Sequence, residues 1–169
     1  MLIYFSESKF INKIFVSGLV FSFLGDLFLL FNWGFLPGLG SFLLAHVLYI
    51  ICFSKLSRKK PSVLLIFVLF IYLIGLLYIL FPHLNEMKIP VIIYGIVITT
   101  MLYFSVKTQN KYLIFGALLF VISDSLLAVN LFINETKILS LLVMITYVLA
   151  QFLLVKGILN ENKSREIYN

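Results

Sequence analysis

Charge is scarce in this sequence: only 12% of its 169 residues are Asp, Glu, Lys or Arg, and the acidic ones number 7. A soluble domain of this length needs far more polar surface, so the composition excludes a water-soluble globular protein and points to a membrane. Cysteine is nearly absent. The single Cys52 lies in an apolar run, which excludes an intrachain disulfide and leaves a small core residue. There is no HExxH, no CxxC, no P-loop and no G-x-S-x-G elbow, so the commonest signatures of zinc peptidases, dithiol enzymes, nucleotide binders and serine esterases are missing. No metal site or cofactor is expected, since Asp26, Asp124 and His46 are too scattered to read as a ligand set. The net charge of +6 sits in short loops and tails, not in a basic patch interleaved with aromatics, and nucleic acid is not an expected partner. Residues 1–13 resemble neither a cleavable signal peptide nor a lipidation site.

What the sequence has in abundance is hydrocarbon, 62% of its residues being hydrophobic. Six apolar runs, at 14–32, 35–53, 62–81, 89–106, 112–133 and 138–158, are long enough or nearly so to cross a core of about 30 Å at about 1.5 Å per residue. The expected fold is an all-α polytopic bundle of six membrane-spanning helices, forming one domain over residues 1–169. Asn32-Trp33-Gly34 makes a tight outer turn, Phe81-Pro82-His83 closes the third run, and Pro61 and Pro90 stand near helix starts, where proline is tolerated. Of the 13 Lys and Arg residues, 11 fall on one side of this arrangement, leaving Lys88 and Lys137 opposite. Among the 11 are Lys9, Lys13, Lys55, Arg58, Lys59, Lys60 and Arg165. The positive-inside rule therefore sets both termini in the cytoplasm.

Two of the few acids, Asp26 and Asp124, stand inside apolar runs in matching surroundings. GLVFSFLGDLFLLFN from Gly18 aligns with GALLFVISDSLLAVN from Gly116, so that glycine, aspartate and asparagine fall in register. The same offset pairs Lys13 with Lys111 and Tyr49 with Tyr147. Both segments run outward, so a parallel internal repeat is expected in which helices 1–2 resemble helices 5–6. Each aspartate lies roughly 20 Å along its helix from its lysine, near the bilayer midplane. A carboxylate there costs about 2.5–3.5 kcal/mol or more and is usually retained for a function. The competing reading is that each one merely hydrogen-bonds a nearby Ser or Tyr to join helices.

Other polar groups gather at similar depth. Gly18, Ser22 and Asp26 share a face, with Gly25 beside them; Phe42, His46 and Tyr49 share another. Ser123 and Ser125 flank Asp124, Tyr94 is a polar tip on the fourth run, and Tyr147 and Gln151 form an i, i+4 pair on the last. Asn32 and Asn130 are expected as helix C-caps. His46, Tyr49, Tyr94, Ser123, Tyr147 and Gln151 are the candidate substrate-binding residues, and Asp26 and Asp124 the candidate catalytic pair.

At these residues the chain resembles the YhhN-type lysoplasmalogenase family of integral membrane proteins. The resemblance is carried by Gly25-Asp26 in FSFLGDLFLL and by PGLGSFLLAHVLYI with His46 and Tyr49. It continues through Tyr94, through GALLFVISDS with Ser123-Asp124, and through TYVLAQ with Tyr147 and Gln151. The family is about eight helices long, so the resemblance implies that the first two are missing here, in agreement with a repeat whose first copy is incomplete. It also implies hydrolysis of the vinyl ether bond of a lysophospholipid, giving a fatty aldehyde and glycerophospho-ethanolamine or -choline. Vinyl ethers hydrolyse by slow protonation of the β-carbon to an oxocarbenium ion, which water captures. That needs a group still protonated near neutral pH and an anion to stabilise the cation, and two carboxyls sharing one proton supply both. Which of Asp26 and Asp124 is the acid stays open. The ether bond of a lysolipid lies near its headgroup, so a polar cavity reaching the aspartates is required. The alternatives are a small proton-coupled transporter using the same carboxylates, and a shortened, non-catalytic family member in contact with membrane lipids. The richness in Ile, Lys, Asn and Phe points to an AT-rich genome and a bacterial inner membrane; the oligomeric state is left open.

Overall fold

The computed structural model describes residues 12–58, 60 and 62–168, with side chains up to residue 163. Among these residues are six helices: α1 (Lys13–Leu29), α2 (Phe35–Leu56), α3 (Val63–Leu80), α4 (Lys88–Thr108), α5 (Lys111–Phe132) and α6 (Lys137–Tyr168). Two single-turn 3₁₀ pieces, Phe81–His83 and Asn85–Met87, join α3 to α4. No strand occurs among the described residues. Lys9, Lys59 and Pro61, read above as topology and helix-start signals, lie outside the described residues, as does the side chain of Arg165.

Among the described residues, five stretches are long and apolar enough to cross a membrane: Phe35–Leu56, Val63–His83, Asn85–Thr108, Lys111–Phe132 and Lys137–Lys163. The protein is an integral membrane protein. With 17 residues, α1 is about 25 Å long, slightly less than the hydrocarbon core. The helix starts follow from polar side chains at the ends of apolar runs. Asn12 accepts from the Phe15 N–H at 3.2 Å, and Asn110 from Tyr112 and Leu113 at 3.0 and 3.4 Å. Each supplies an acceptor to amides that have no partner within the helix. These two asparagines stand at the same spacing as Lys13 and Lys111.

Helices α1 and α2 form one antiparallel hairpin, α5 and α6 another, and α4 packs between α2 and α5. The hairpins close through small residues. A methyl group on Gly18 would lie 2.5 Å from Tyr49 Cε1, and one on Gly116 would lie 2.8 Å from Leu154 Cδ2, so only glycine admits these contacts. The shared core includes Phe15, Tyr49, Phe53, Phe120 and Leu154. Helix α3 leans on α4 from outside and leaves most of its side chains exposed, a surface suited to lipid and not to water. A hydrogen bond between Tyr72 and Ser125 ties α3 to α5.

At the end of the bundle that carries most of the lysines, Glu161 is buried and paired with Arg58 at 2.7 Å. Asn110 Nδ2 donates to the same carboxylate at 2.9 Å and to the Gly157 carbonyl at 3.1 Å. The Arg58 amide donates to the Lys107 carbonyl at 2.9 Å, which ties the end of α4 to the same cluster. Asn130 differs from expectation. It does not cap α5 but lies inside it, buried, accepting from the Thr136 amide at 2.8 Å and donating to Ser140 Oγ at 3.1 Å. Its side chain thus organises the loop into α6. Asn32 likewise falls in the turn after α1, whose last helical residue is Leu29.

Candidate active site

Asp26 is reached from the far end of the chain. Tyr147 on α6 donates its phenolic hydrogen to Asp26 Oδ2 at 2.7 Å. Gln151, one turn further along α6, donates from Nε2 to the Tyr147 oxygen at 3.2 Å. The Gln151 carbonyl oxygen accepts from Tyr49 on α2 at 3.3 Å, and Tyr49 also contacts Ser22 Oγ on α1 at 3.2 Å. Three helices therefore contribute to one connected polar chain ending at a carboxylate. Asp26, Ser22, Tyr147 and Gln151 line a cleft of about 350 Å³ between α1 and α6, whose other walls include Leu19, Phe23, Val148 and Phe152.

Asp124 has a separate partner and a separate space. It accepts a hydrogen bond from Tyr94 on α4. The two line a cavity of about 50 Å³ that extends past Phe42 and Leu39 toward Phe35 and Leu131 near the outer turns. Aromatic rings stand between the cavities of the two carboxylates: Tyr147 meets Phe42 edge-on at 6.0 Å and Phe120 at 5.3 Å. Gly25 makes room for this wall, since a methyl group there would come within 2.7 Å of the Phe42 ring.

His46 sits behind the wall, fully buried, with its ring edge-on to Phe120 at 4.8 Å and to Tyr94 at 5.4 Å. Neither ring nitrogen has a hydrogen-bond partner; the Phe42 carbonyl one turn back is near but outside hydrogen-bond geometry. Ser123 is also fully buried, and its hydroxyl donates to the Val143 carbonyl at 3.0 Å across the α5–α6 seam. Of the eight candidate residues, Asp26, Tyr49, Tyr147 and Gln151 thus form one group and Asp124 and Tyr94 a second. His46 touches the rings of both groups, and Ser123 joins helices beside them. Ser22, Phe42 and Phe120 belong to the site as well. The face shared by Gly18, Ser22 and Asp26 was the available signal for Ser22, while nothing in the sequence marks Phe120 apart from other core aromatics. Among the described residues, no three His, Cys, Asp or Glu side chains come together as a metal site.

Such an arrangement can hold a proton at the edge of an apolar cleft and keep its carboxyl oriented while a lipid chain lies alongside. The YhhN family matches over residues 1–158. Lysoplasmalogenase TMEM86B of Homo sapiens is 34% identical over 151 residues, which are 88% of this chain and 65% of the human protein. The same-named protein of Rattus norvegicus is 36% identical over 135 residues, 79% of this chain and 56% of its own length. The lysoplasmalogenase of Mycobacterium bovis is 30% identical over 153 residues, 84% and 59% respectively. The chain thus spans a little over half to nearly two thirds of the length of these curated relatives. No solved structure gives a significant match.

Proposed function

Because the chain belongs to the YhhN family, we propose that it is a lysoplasmalogenase-like hydrolase that cleaves the vinyl ether bond of a lysophospholipid within the membrane. The observation that carries this reading is the cleft at Asp26. It pairs an oriented carboxyl with an otherwise apolar groove of about 350 Å³, within the usual range of about 300–1,000 Å³ for small-ligand sites. The cleft runs along α1 from Asp26 back to Leu19 and along α6 to Val155, with Ser22, Tyr147 and Gln151 as its other polar residues, and in this reading the lysolipid lies along it.

In this reading Tyr147 holds Asp26 Oδ2, leaving Oδ1 to carry the proton that faces the ligand. Asp26 protonates the vinyl β-carbon and becomes the carboxylate as the oxocarbenium ion forms. Water adds to the carbon that bears the ether oxygen, and Asp26 takes the proton that water releases, restoring the acid. The hemiacetal then collapses to the aldehyde, its hydroxyl proton passing to the departing glycerol oxygen. Asp124, held by Tyr94, contributes negative charge that favours the cationic intermediate through a medium of low dielectric. Tyr49 and Gln151 position Tyr147, and His46 and Ser123 back the wall behind it. The products are a fatty aldehyde and the glycerophospho-headgroup.

The same proposal includes six spans with α1 as the shortest, both termini in the cytoplasm of a bacterial inner membrane, and a parallel repeat relating α1–α2 to α5–α6. The matched caps, Asn12 accepting from the Phe15 amide and Asn110 from the Leu113 amide, support the repeat. A second reading has its own support. Two carboxylates in two cavities divided by the Phe42–Tyr147 wall also suit a proton-coupled carrier. Purified protein in detergent separates the two: a hydrolase releases aldehyde from a lysoplasmalogen, whereas a carrier leaves the lipid intact and moves solute in sealed vesicles.

A further inference from the structure

The hydrogen bonds leading to Asp26 have a direction. A phenol has one hydrogen to give. Tyr147 gives its hydrogen to Asp26, and Tyr49 gives its own to the Gln151 carbonyl oxygen. The Ser22–Tyr49 contact must then be a donation from Ser22, and the Tyr147 oxygen is free to accept from Gln151 Nε2. The order is Ser22 to Tyr49 to Gln151 to Tyr147 to Asp26, every donor pointing toward the carboxylate. This order also fixes the Gln151 amide, because exchanging its oxygen and nitrogen would set two acceptors against each other at Tyr147.

Once the chain is complete, little polar capacity remains in the cleft. The Gln151 primary amide keeps one N–H, and the Ser22 oxygen keeps lone pairs. Both residues line the same cleft as Asp26, Gln151 half-buried and Ser22 only 1% exposed at its wall, and Tyr49 is fully buried behind them. The remaining lining is apolar or belongs to Tyr147. One donor and one acceptor therefore stand a helical turn, about 5.4 Å, beyond the level of Tyr147.

We propose that Gln151 and Ser22 form a subsite that reads a free hydroxyl on the glycerol carbon next to the ether-bearing one. This deepens the hydrolase reading and rests on it for the identity of the ligand. With the vinyl carbons beside Asp26, the glycerol unit lies one turn along α6, at Gln151. Its hydroxyl oxygen accepts the unused Gln151 N–H, and its hydrogen goes to Ser22 Oγ. A hydrogen atom at that carbon leaves the Gln151 donor and the Ser22 acceptor without ligand partners. An ester or ether there removes the hydrogen that Ser22 requires. Selection of lipids with one chain over lipids with two follows from hydrogen bonding as well as from space.

Binding tests this without depending on turnover. The probes are saturated 1-O-alkyl lysophospholipids, which lack the vinyl bond and are not hydrolysed. One retains the glycerol 2-hydroxyl, one is 2-deoxy and one is 2-O-methyl, each titrated against the full chain in detergent micelles. The expected result is tighter binding of the hydroxyl probe by about tenfold over the other two, the scale of one net hydrogen bond and the donor it leaves unpaired. Gln151→Leu should bind all three alike. Ser22→Ala, which removes only the first member of the chain and is the gentler change, should shrink the preference and remain folded. Equal affinity of the unaltered protein for the three probes overturns the proposal, as does a preference that survives in both variants or a failure to bind any probe. Hydrolysis of the matching vinyl ether probe, measured in parallel, reports separately on the hydrolase reading: selective binding without aldehyde release would end that reading alone.

Discussion

Replacing Tyr147 with phenylalanine removes one oxygen from the site and almost nothing else. The ring keeps its edge contacts with Phe42 at 6.0 Å and Phe120 at 5.3 Å, so the wall between the two cavities persists. What disappears is the donor to Asp26 at 2.7 Å and the acceptor for Gln151 at 3.2 Å. A hydrogen bond to a charged group contributes about 1.5–3 kcal/mol. In the proposed mechanism Asp26 is charged when the cation is present and neutral before, so this amount acts mainly on the transition state. At about 1.36 kcal/mol per factor of ten, kcat/KM for aldehyde release should fall about 10- to 150-fold. Stability should change by less than about 1 kcal/mol, because the Gln151 amide left behind borders the open cleft and can find another partner. The assay is steady-state aldehyde release in detergent, beside a thermal melt of the same preparation. A kcat/KM within twofold of the unaltered protein, with an unchanged melt, would refute the role given to Tyr147.

Three further outcomes concern the scaffold. Gly18→Ala drives a methyl group to 2.5 Å from a Tyr49 ring held between Phe15 and Phe53, and should destabilise by about 1–3 kcal/mol in a thermal melt. At the Glu161 cluster, Arg58→Ala leaves a buried carboxylate with Asn110 alone. Its cost should stay below the about 3–5 kcal/mol of a fully buried pair because the Arg58 side chain is 58% exposed. Glu161→Gln, which removes the buried charge and keeps an acceptor for Asn110, should cost less still; the reverse order of melting temperatures would contradict this account. His46→Leu loses no hydrogen bond from either ring nitrogen, so the melting temperature should hold or rise. A clear fall would mean that the ring takes a partner in the membrane.

The helices were legible in the sequence because hydrocarbon runs bounded by polar residues leave few alternatives in a bilayer. Their ends were less so. Helix α6 continues to Tyr168, ten residues beyond its apolar run, because LNENKSREIY contains good helix formers once hydropathy no longer applies. Asn130 looked like a cap and proved to be the organiser of the next loop, since the neighbour that accepts its help, Thr136, is not marked by any local pattern. Both aspartates were conspicuous as acids in apolar surroundings. Their partners were not, because Asp26 and Tyr147 lie 121 positions apart and meet only when α6 returns beside α1. The assignment of each carboxylate to its own tyrosine and its own cavity depends on that tertiary arrangement. A repeat read from sequence alone would have given the two aspartates equivalent partners. Tyr49, the counterpart of Tyr147, instead contacts Ser22 and Gln151, and it is Tyr94 that reaches Asp124.

The central claim is that two membrane-embedded carboxylates perform an acid-driven ether hydrolysis. Its most direct test is aldehyde release from a lysoplasmalogen by the purified protein beside Asp26→Asn and Asp124→Asn, each variant checked by thermal melt. The account predicts turnover by the unaltered protein, loss of detectable turnover in Asp26→Asn, and a large fall in Asp124→Asn, with all three proteins folded. Turnover that survives Asp26→Asn, or a folded, unaltered protein that binds the lysolipid and releases no aldehyde, would contradict it.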